Sequence, residues 1–304
     1  MATIGIAMAG YKPNPKYFSL QLQSLIDQEF QDWNCVITFD SSVGEATQDP
    51  RVQVCLKDKR FRVLENERRL KVTKNFERAI VEVMTPETKA IAFADQDDIW
   101  DRRKLKLQWS QLQTCPPLSL VHCDMKLLRE VNGNDQIENV SVWKAEWRTV
   151  GLSSPEHMVV RNLVTGMAAL FDADLARKFP VIPEDIWHDH WFAIQAGVHG
   201  GVYSTPERLV AYRQHGSNDT GIGNPLGFLR HLRPRDLPAK ARKKFALYES
   251  HKNHINQSNQ RAVFREESPV DLAWKAAKSI PREFNLAKHC AGLALGSLLS
   301  KLRL

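Results

Sequence analysis

The sequence predicts an α/β fold in which a mostly parallel central sheet is flanked by helices, followed by a basic helical extension. Three observations lead there. Short apolar runs of strand length alternate with stretches of helical periodicity through the first 130 residues, as a parallel sheet with helical crossovers requires. The chain has 304 residues, 43% of them hydrophobic, which fits one large domain or a domain with an extension. The charge is divided: from Pro225 to Leu304 there are 16 Lys and Arg against 6 Asp and Glu, a balance of +10, whereas the first 224 residues carry −3. A slightly acidic body therefore carries a basic tail.

The body is read in chain order. Thr3 to Ala9, "TIGIAMA", puts Ile4, Ile6 and Met8 on one face of a strand, and "GYKPNP" turns away from it. Phe18, Leu22, Leu25 and Ile26 recur at helical spacing within Tyr17 to Phe30. "NCVITF", Asn34 to Phe39, is a second strand ending at Asp40, and "RVLEN", Arg62 to Asn66, is a short third. Phe76, Ile80 and Val83 mark a second helix. "KAIAFA", Lys89 to Ala94, is a buried strand, "DRRKLKLQWSQL" a third helix, and "LSLVHCD", Leu118 to Asp124, another strand. No internal repeat or low-complexity segment interrupts the pattern.

Ligands of open α/β sheets bind beyond the carboxyl ends of the strands. Three polar clusters fall there: Ala9-Gly10-Tyr11 after the first strand, Asp40 after the second, and Asp95, Asp97 and Asp98 after the fourth. No GxGxxG or GxxxxGK[ST] follows the first strand, so a nucleotide would need its phosphates neutralised by other means. A divalent cation held by carboxylates supplies this, since Mg²⁺ commonly binds through one or two carboxylates plus substrate phosphates. The alternative is that Asp98 or Asp101 caps the following helix while the neighbouring acids are solvated; a cap accounts for one acid and not for the Asp95/Asp97 pair.

The segment "FADQDDIWDRRKLKLQ" resembles the DxD region of family-2 glycosyltransferases with the GT-A fold, in particular the bacterial rhamnosyltransferase-like branch. Further segments are similar in the same order: "IAMAGYKPNPKYFSLQLQSLIDQEFQDWNCVITFDSS", "NERRLKVTKNFERAI", "RNLVTGMAALFDADLARKF" and "WHDHWFAIQAGVHGGVYSTPERLVAYRQHGSN". The resemblance spans about residues 3 to 221, so residues 1–221 are expected to form a glycosyltransferase domain and 222–304 the extension. It implies that Ala9, Gly10, Tyr11 and Asp40 hold the nucleobase and ribose. Asp95 would contact the ribose or the metal, and Asp97 would ligate Mg²⁺ or Mn²⁺. Asp189 would be the general base on the acceptor hydroxyl, and His215 would approach the metal or the diphosphate. Gly166 falls in the segment that resembles the floor under the donor sugar. The family inverts the anomeric centre in one displacement.

The chemistry is coherent with these roles. A departing nucleoside diphosphate gathers negative charge that a metal clamp stabilises. A sugar hydroxyl is a poor nucleophile and needs a carboxylate to take its proton. One carboxylate suffices for direct displacement, whereas a retaining double displacement wants a second at the anomeric carbon. Lys71 stands where the family usually has a small residue, and its cation either reaches the diphosphate or points into solvent. "PEDIWHDHW" offers Glu184, Asp185 and Asp189 as bases, and similarity to an HDxW motif favours Asp189. His188 and His190 are two apart and lack the i,i+4 spacing of a helical zinc pair. Trp187 and Trp191 are four apart and would share a helical face, as core or as a sugar-stacking platform.

In the tail, "RHLRPRDLPAKARKK" is followed by the apolar stretches "LAWKAAKSI" and "CAGLALGSLLSKLRL". Basic residues beside apolar faces read as an element at an anionic membrane surface or as helices packing back on the body. No apolar run reaches 18 residues, and no basic region precedes a leader-like segment, so neither a transmembrane helix nor a signal peptide is expected. Five cysteines without CxxC spacing suit a reducing cytoplasm. The expectation is a cytoplasmic, metal-dependent inverting glycosyltransferase, peripheral at the inner membrane if the tail binds lipid. The branch it resembles suggests dTDP-rhamnose as donor and a surface polysaccharide, lipopolysaccharide or lipid-linked glycan as acceptor. A non-catalytic carbohydrate- or nucleotide-binding protein on the same fold is the rival. Nucleic-acid binding led by the basic tail is disfavoured by the acidic body and the lack of interleaved aromatics.

Overall fold

Alternation along the first strand divides the molecule into two apolar layers. Ile4, Ile6 and Met8 of β1 (Ile4–Gly10) enter one layer with Phe18, Leu22 and Leu25, and Ala7 enters the other with Phe76, Ile80 and Phe93. The structure, a computed structural model, describes residues 3–40, 42–146, 148, 158–159, 161–214, 237–259, 271 and 284–301. After β1 come α1 (Pro15–Ile26), β2 (Trp33–Phe39), the short helices α2 (Gly44–Gln48) and α3 (Pro50–Leu56), β3 (Phe61–Glu65), α4 (Lys71–Val83) and β4 (Ala90–Ala94). Then follow β5 (Ile99–Trp100), α5 (Lys104–Leu112), β6 (Leu120–Val131), β7 (Asn134–Glu138), α6 (Val142–Ala145) and, after a 3-10 turn at Gly166–Ala168, β8 (Ala169–Asp172). The described chain continues with α7 (Ala173–Lys178), α8 (His188–Val198), β9 (Val202–Gln214), α9 (Leu237–Ser258) and α10 (Phe284–Lys301).

The strand order is β3-β2-β1-β4-β8-β6-β9-β5, with β7 paired to β6. The run β3-β2-β1-β4 is parallel, as expected. Beyond it the sheet is mixed and so not strictly parallel: β8 runs antiparallel to both β4 and β6, β5 antiparallel to β9, and β7 antiparallel to β6. The cause is the four-residue β8, a wedge between two longer strands whose apolar run is too short to announce a strand. β6 and β9 pair in parallel, but the register slips where Cys123↔Thr205 gives way to Asp124↔Arg208 and then Met125↔Val210. Pro206, which cannot donate to a ladder, lies in the slip.

Local chemistry sets the element ends. Asn14 caps α1 by accepting the Lys16 N–H at 2.9 Å, with Pro15 at the first helical position. Asp101 is not the cap of α5, which begins at Lys104 after Arg103. Its carboxylate instead takes the Arg103 N–H at 3.0 Å and pairs with that guanidinium at 2.9 Å, one turn early.

The described part of the extension packs on the body. Tyr248 and Ile255 of α9 and Leu293 of α10 are buried in the same apolar layer as Trp191 and Phe192. Gln195 of α8 donates to the Ser258 hydroxyl at 2.8 Å, and Asn259 donates back to Gln195 at 3.0 Å. Asp185 accepts from the Ser250 hydroxyl at 2.6 Å and pairs with His254 at 3.0 Å. Among the described residues no helix is long and apolar enough to cross a membrane. Arg230 to Asp236 and the stretch "LAWKAAKSI" lie outside the described residues.

A chain ended before Leu237 strips Tyr248, Ile255 and Leu293 from that layer. At roughly 1.5–3 kcal/mol per buried large side chain, the loss is on the order of 5 kcal/mol. We expect the shortened protein to melt far lower and to aggregate in size-exclusion chromatography; an unchanged monomer with an unchanged melting temperature would refute this packing.

Candidate active site

The carboxyl ends of β1, β2 and β4 share one edge of the sheet, because the three strands run parallel and adjacent. Gly10 closes β1 where a Cβ would meet the Phe39 ring at 2.8 Å, so a larger residue cannot occupy this turn. Its carbonyl receives the Asp40 N–H at 2.8 Å. The Asp40 carboxylate is nearly buried and committed to the chain: it accepts from the Asn66 amide at 2.6 Å, the Leu70 N–H at 2.7 Å and the Lys71 N–H at 2.5 Å. It thereby draws the 66–71 loop onto the end of β2 and satisfies open donors at the start of α4. Lys71 is exposed and sits at φ 66, a left-handed conformation that glycine adopts without strain, which accounts for the small residue usual there.

Tyr11 is 39% exposed. Gln96, between the two predicted acids, accepts the Tyr11 N–H at 2.8 Å and donates to the Tyr11 carbonyl at 3.2 Å, tying the first loop to the acidic turn. The Arg69 guanidinium lies 4.3 Å from the Tyr11 ring centre and the Lys12 ammonium 5.6 Å. Ala9 is partly buried beside them. Neither Gln96 nor Arg69 stood out in the sequence, where one is a spacer in DxD and the other one of several basic residues.

In the acidic turn Asp95 and Asp97 are part-exposed, whereas Asp98 is fully buried rather than solvated or capping a helix. One Asp98 oxygen accepts the Arg213 N–H at 2.9 Å and the other has no hydrogen-bond partner among the described residues. Burial, then the charges of Asp97 and Asp95, raise its pKa well above the ordinary carboxylate range, against the opposing pull of Arg213. Arg213, 1% exposed at its side chain, donates through Nε to the Asp97 carbonyl at 2.7 Å and forms a two-pronged pair with Asp135 at 2.7 and 2.9 Å. His215, two residues on, lies outside the described residues. Among the described residues no three His, Cys, Asp or Glu gather into a metal-binding group. Asp95 and Asp97 carry hard oxygen donors of the kind that would suit Mg²⁺ or Mn²⁺.

Asp189 occupies the first turn of α8, where the helix N-terminus favours a carboxylate. It accepts from the Gly166 N–H at 3.1 Å and the His190 N–H at 2.7 Å. A Cβ on Gly166 would come within 3.0 Å of His188 Nε2 and 3.6 Å of the Asp189 Cβ, so glycine permits this approach. Burial pushes the Asp189 pKa up to about 6, offset in part by those two N–H groups, the Arg148 charge and the Asn162 side chain. Arg148 is itself fixed, donating to the Leu163 carbonyl and the Thr165 hydroxyl at 2.8 Å and pairing with Glu146 at 2.6 Å. His188 stacks on Phe76 at 3.8 Å and meets Phe93 edge-on at 4.7 Å, which seats Asp189 beside the β4 layer.

The rival bases are placed differently. Asp185 is held by α9; burial would raise its pKa, but Ser250, His254 and His251 lower it overall. Glu184 is exposed. Burial lowers His188 to about 3 and His190 to about 4, so both rings are neutral near pH 7. Trp191 does not serve as a sugar platform: it is 2% exposed in the core, edge-on to Phe179. Trp187 precedes the helix in extended conformation and is 45% exposed, so the two do not share a face.

Residues 15–143 match the family model described as Glycosyl transferase family 2. No curated protein matches the chain. Among solved structures, S. aureus TarS 1-349 in complex with UDP is similar with a TM-score of 0.57 at 13% identity, over 100% of this chain and 92% of that one. TarS 1-349 with UDP-GlcNAc gives 0.54 at 14%, over 100% and 92%. A mannosyltransferase from Pyrobaculum calidifontis in complex with GDP-Man and Mn²⁺ gives 0.53 at 13%, over 99% and 87%. The architecture is that of GT-A glycosyltransferases, and the family match with these neighbours supports a glycosyltransferase.

Two outcomes follow from this geometry. Lys71→Gly removes the left-handed strain, and thermal denaturation should show a gain of about 0.5 kcal/mol, where a loss would deny the strain. For Asp189, the folded pKa of about 6 lies above the ordinary aspartate value of 3.8. The stability this group contributes is therefore full below its unfolded pKa and is lost as pH rises through the folded one. The stability of Asp189→Asn relative to the parent should grow by roughly 2–3 kcal/mol from about pH 4 to about pH 7. A difference that stays flat with pH would show that Asp189 titrates normally.

Proposed function

We propose that the protein is an inverting glycosyltransferase that moves a sugar from a nucleoside diphosphate donor to a hydroxyl of a bacterial surface or lipid-linked glycan. The observation that carries this reading is the division of its carboxylates between two environments. Asp95 and Asp97 are part-exposed at the end of β4, beside the Gly10–Tyr11 loop, where a nucleotide lies in an open α/β sheet. Asp189 stands apart on α8, is fixed by two backbone N–H groups, and has its pKa raised toward neutrality. A base works best when its pKa lies near the working pH.

In this reading the Gly10–Tyr11 loop and Tyr11 receive the nucleobase, and Asp40 acts indirectly by holding the loop that carries Arg69 and Lys71. Asp95 and Asp97 would hold Mg²⁺ or Mn²⁺, which when bound would stabilise the negative charge on the departing diphosphate. Gly166 leaves room for the sugar beside Asp189. Asp189 takes the acceptor proton as the hydroxyl oxygen bonds to the anomeric carbon and the bond to the diphosphate breaks. A single displacement inverts that carbon. The wording of "ADQDDIW" supports dTDP-rhamnose as a donor to test first.

The test is a panel of dTDP-, UDP- and GDP-sugars scored for thermal stabilisation, hydrolysis and transfer, with Mn²⁺ and with EDTA. A ligand of the native state raises its melting temperature by mass action. We expect one donor to stabilise the protein in Mn²⁺, EDTA to abolish transfer, and Asp97→Ala to lose donor binding while folded. Asp189→Asn should keep donor affinity within a few-fold and lose roughly 10²- to 10⁴-fold in transfer. Glu184→Gln should transfer normally, and Asp185→Asn should melt lower but transfer once folded. Binding without any turnover would favour the non-catalytic alternative, and an active Asp189→Asn would reassign the base.

A further inference from the structure

The acidic turn poses an electrostatic problem. Asp95, Asp97 and Asp98 fall within four residues, and Asp98 is buried with one oxygen unpartnered among the described residues. Like charges this close drive a turn apart unless something fixes its backbone. The fixing group comes from β9. The Arg213 N–H binds Asp98, and its Nε–H binds the Asp97 carbonyl, so one residue grips two successive positions of the turn.

A buried guanidinium is itself costly unless paired. Its two remaining nitrogens meet both oxygens of Asp135, and its guanidinium carbon lies 3.9 Å from the Tyr17 ring centre. Asp135 sits on β7, in a hairpin that reaches back over α1. Lys16 binds Glu130 at 3.0 Å and the Gly133 carbonyl at 2.9 Å, and the Tyr17 hydroxyl donates to Glu130 at 2.8 Å. The hairpin is thereby strapped to α1, and Tyr17 shares both the strap and the face of Arg213.

We propose that Arg213, aimed by Asp135, is a positioning residue that holds the Asp95–Asp97 turn in the shape that receives a divalent cation and a nucleoside diphosphate. This rests on the glycosyltransferase reading above. Arginine is required because its planar fork serves the turn and Asp135 at once; a lysine ammonium has no second prong. Groups that orient ligands from behind typically contribute 10- to 100-fold to metal affinity.

The experiment measures Mn²⁺ affinity by electron paramagnetic resonance in the full chain, with whichever of UDP, GDP or dTDP stabilises the parent, well below the melting temperature. Arg213→Lys should weaken Mn²⁺ binding roughly 10- to 100-fold and speed amide exchange at residues 96–99. Asp135→Asn, which keeps the guanidinium but loosens its aim, should weaken Mn²⁺ less, by about 3- to 10-fold, within the same scale. Glu82→Gln, which breaks the exposed Arg62–Glu82 pair at the far end of α4, should leave Mn²⁺ affinity as it was. If Arg213→Lys and Asp135→Asn merely melt lower while Mn²⁺ affinity and exchange are unchanged, Arg213 is packing and the proposal fails. A parent that binds neither nucleotide nor Mn²⁺ overturns the enzymatic reading itself, and this proposal with it.

Discussion

Parallel strand direction is the constraint on which the rest of the molecule depends. With β3, β2, β1 and β4 running the same way, every loop that leaves a carboxyl end arrives on one edge, whatever its length. Asp40, Tyr11 and Asp95 to Asp98 meet there although up to 87 residues separate them in the sequence. Hydrogen bonds then refine what topology delivers. Gln96 joins the first loop to the acidic turn, and Asp40 joins the second strand to the loop before α4.

The remaining half answers a different demand. A base must be dry enough to hold a raised pKa yet open enough to meet an acceptor. In the proposed reaction Asp189 would meet both by sitting at a helix start, over a glycine and beside neutral, buried histidines. The helix α9 packs against α8 and so shares in its support.

The parallel half was legible because each strand announces itself by local pattern: the Ile4-Ile6-Met8 alternation and the unbroken Ala90–Ala94 run can be read without knowing any partner. β8 and β5 could not be read that way, since strands of four and two residues owe their form to the neighbours they pair with. The same distinction divides the site. Asp97 and Asp189 stand out by residue type and spacing. Arg213 and Asp135 are 78 residues apart and acquire meaning only when the hairpin folds over α1. Trp191 and Asp185 show the same limit: the segment around α8 looks functional throughout, and packing by Phe179 and by α9 decides which side chains remain available.

The slip between β6 and β9 gives the molecule a dependence on parity. Upstream of it, Val121 and Tyr203 face the layer of Met8 and Leu22; downstream, Met125 pairs with Val210 and Leu127 with Tyr212 on that same face. Between Cys123 and Met125, β9 spends three residues more than β6, an odd number, so odd positions give way to even ones on the inner face. Arg213 is thereby turned away from the apolar layer. With one residue fewer near Pro206, Tyr212 and Arg213 would exchange sides, and the guanidinium would enter the hydrocarbon instead of the acidic turn. The geometry of the turn is thus counted out by residues that never touch it.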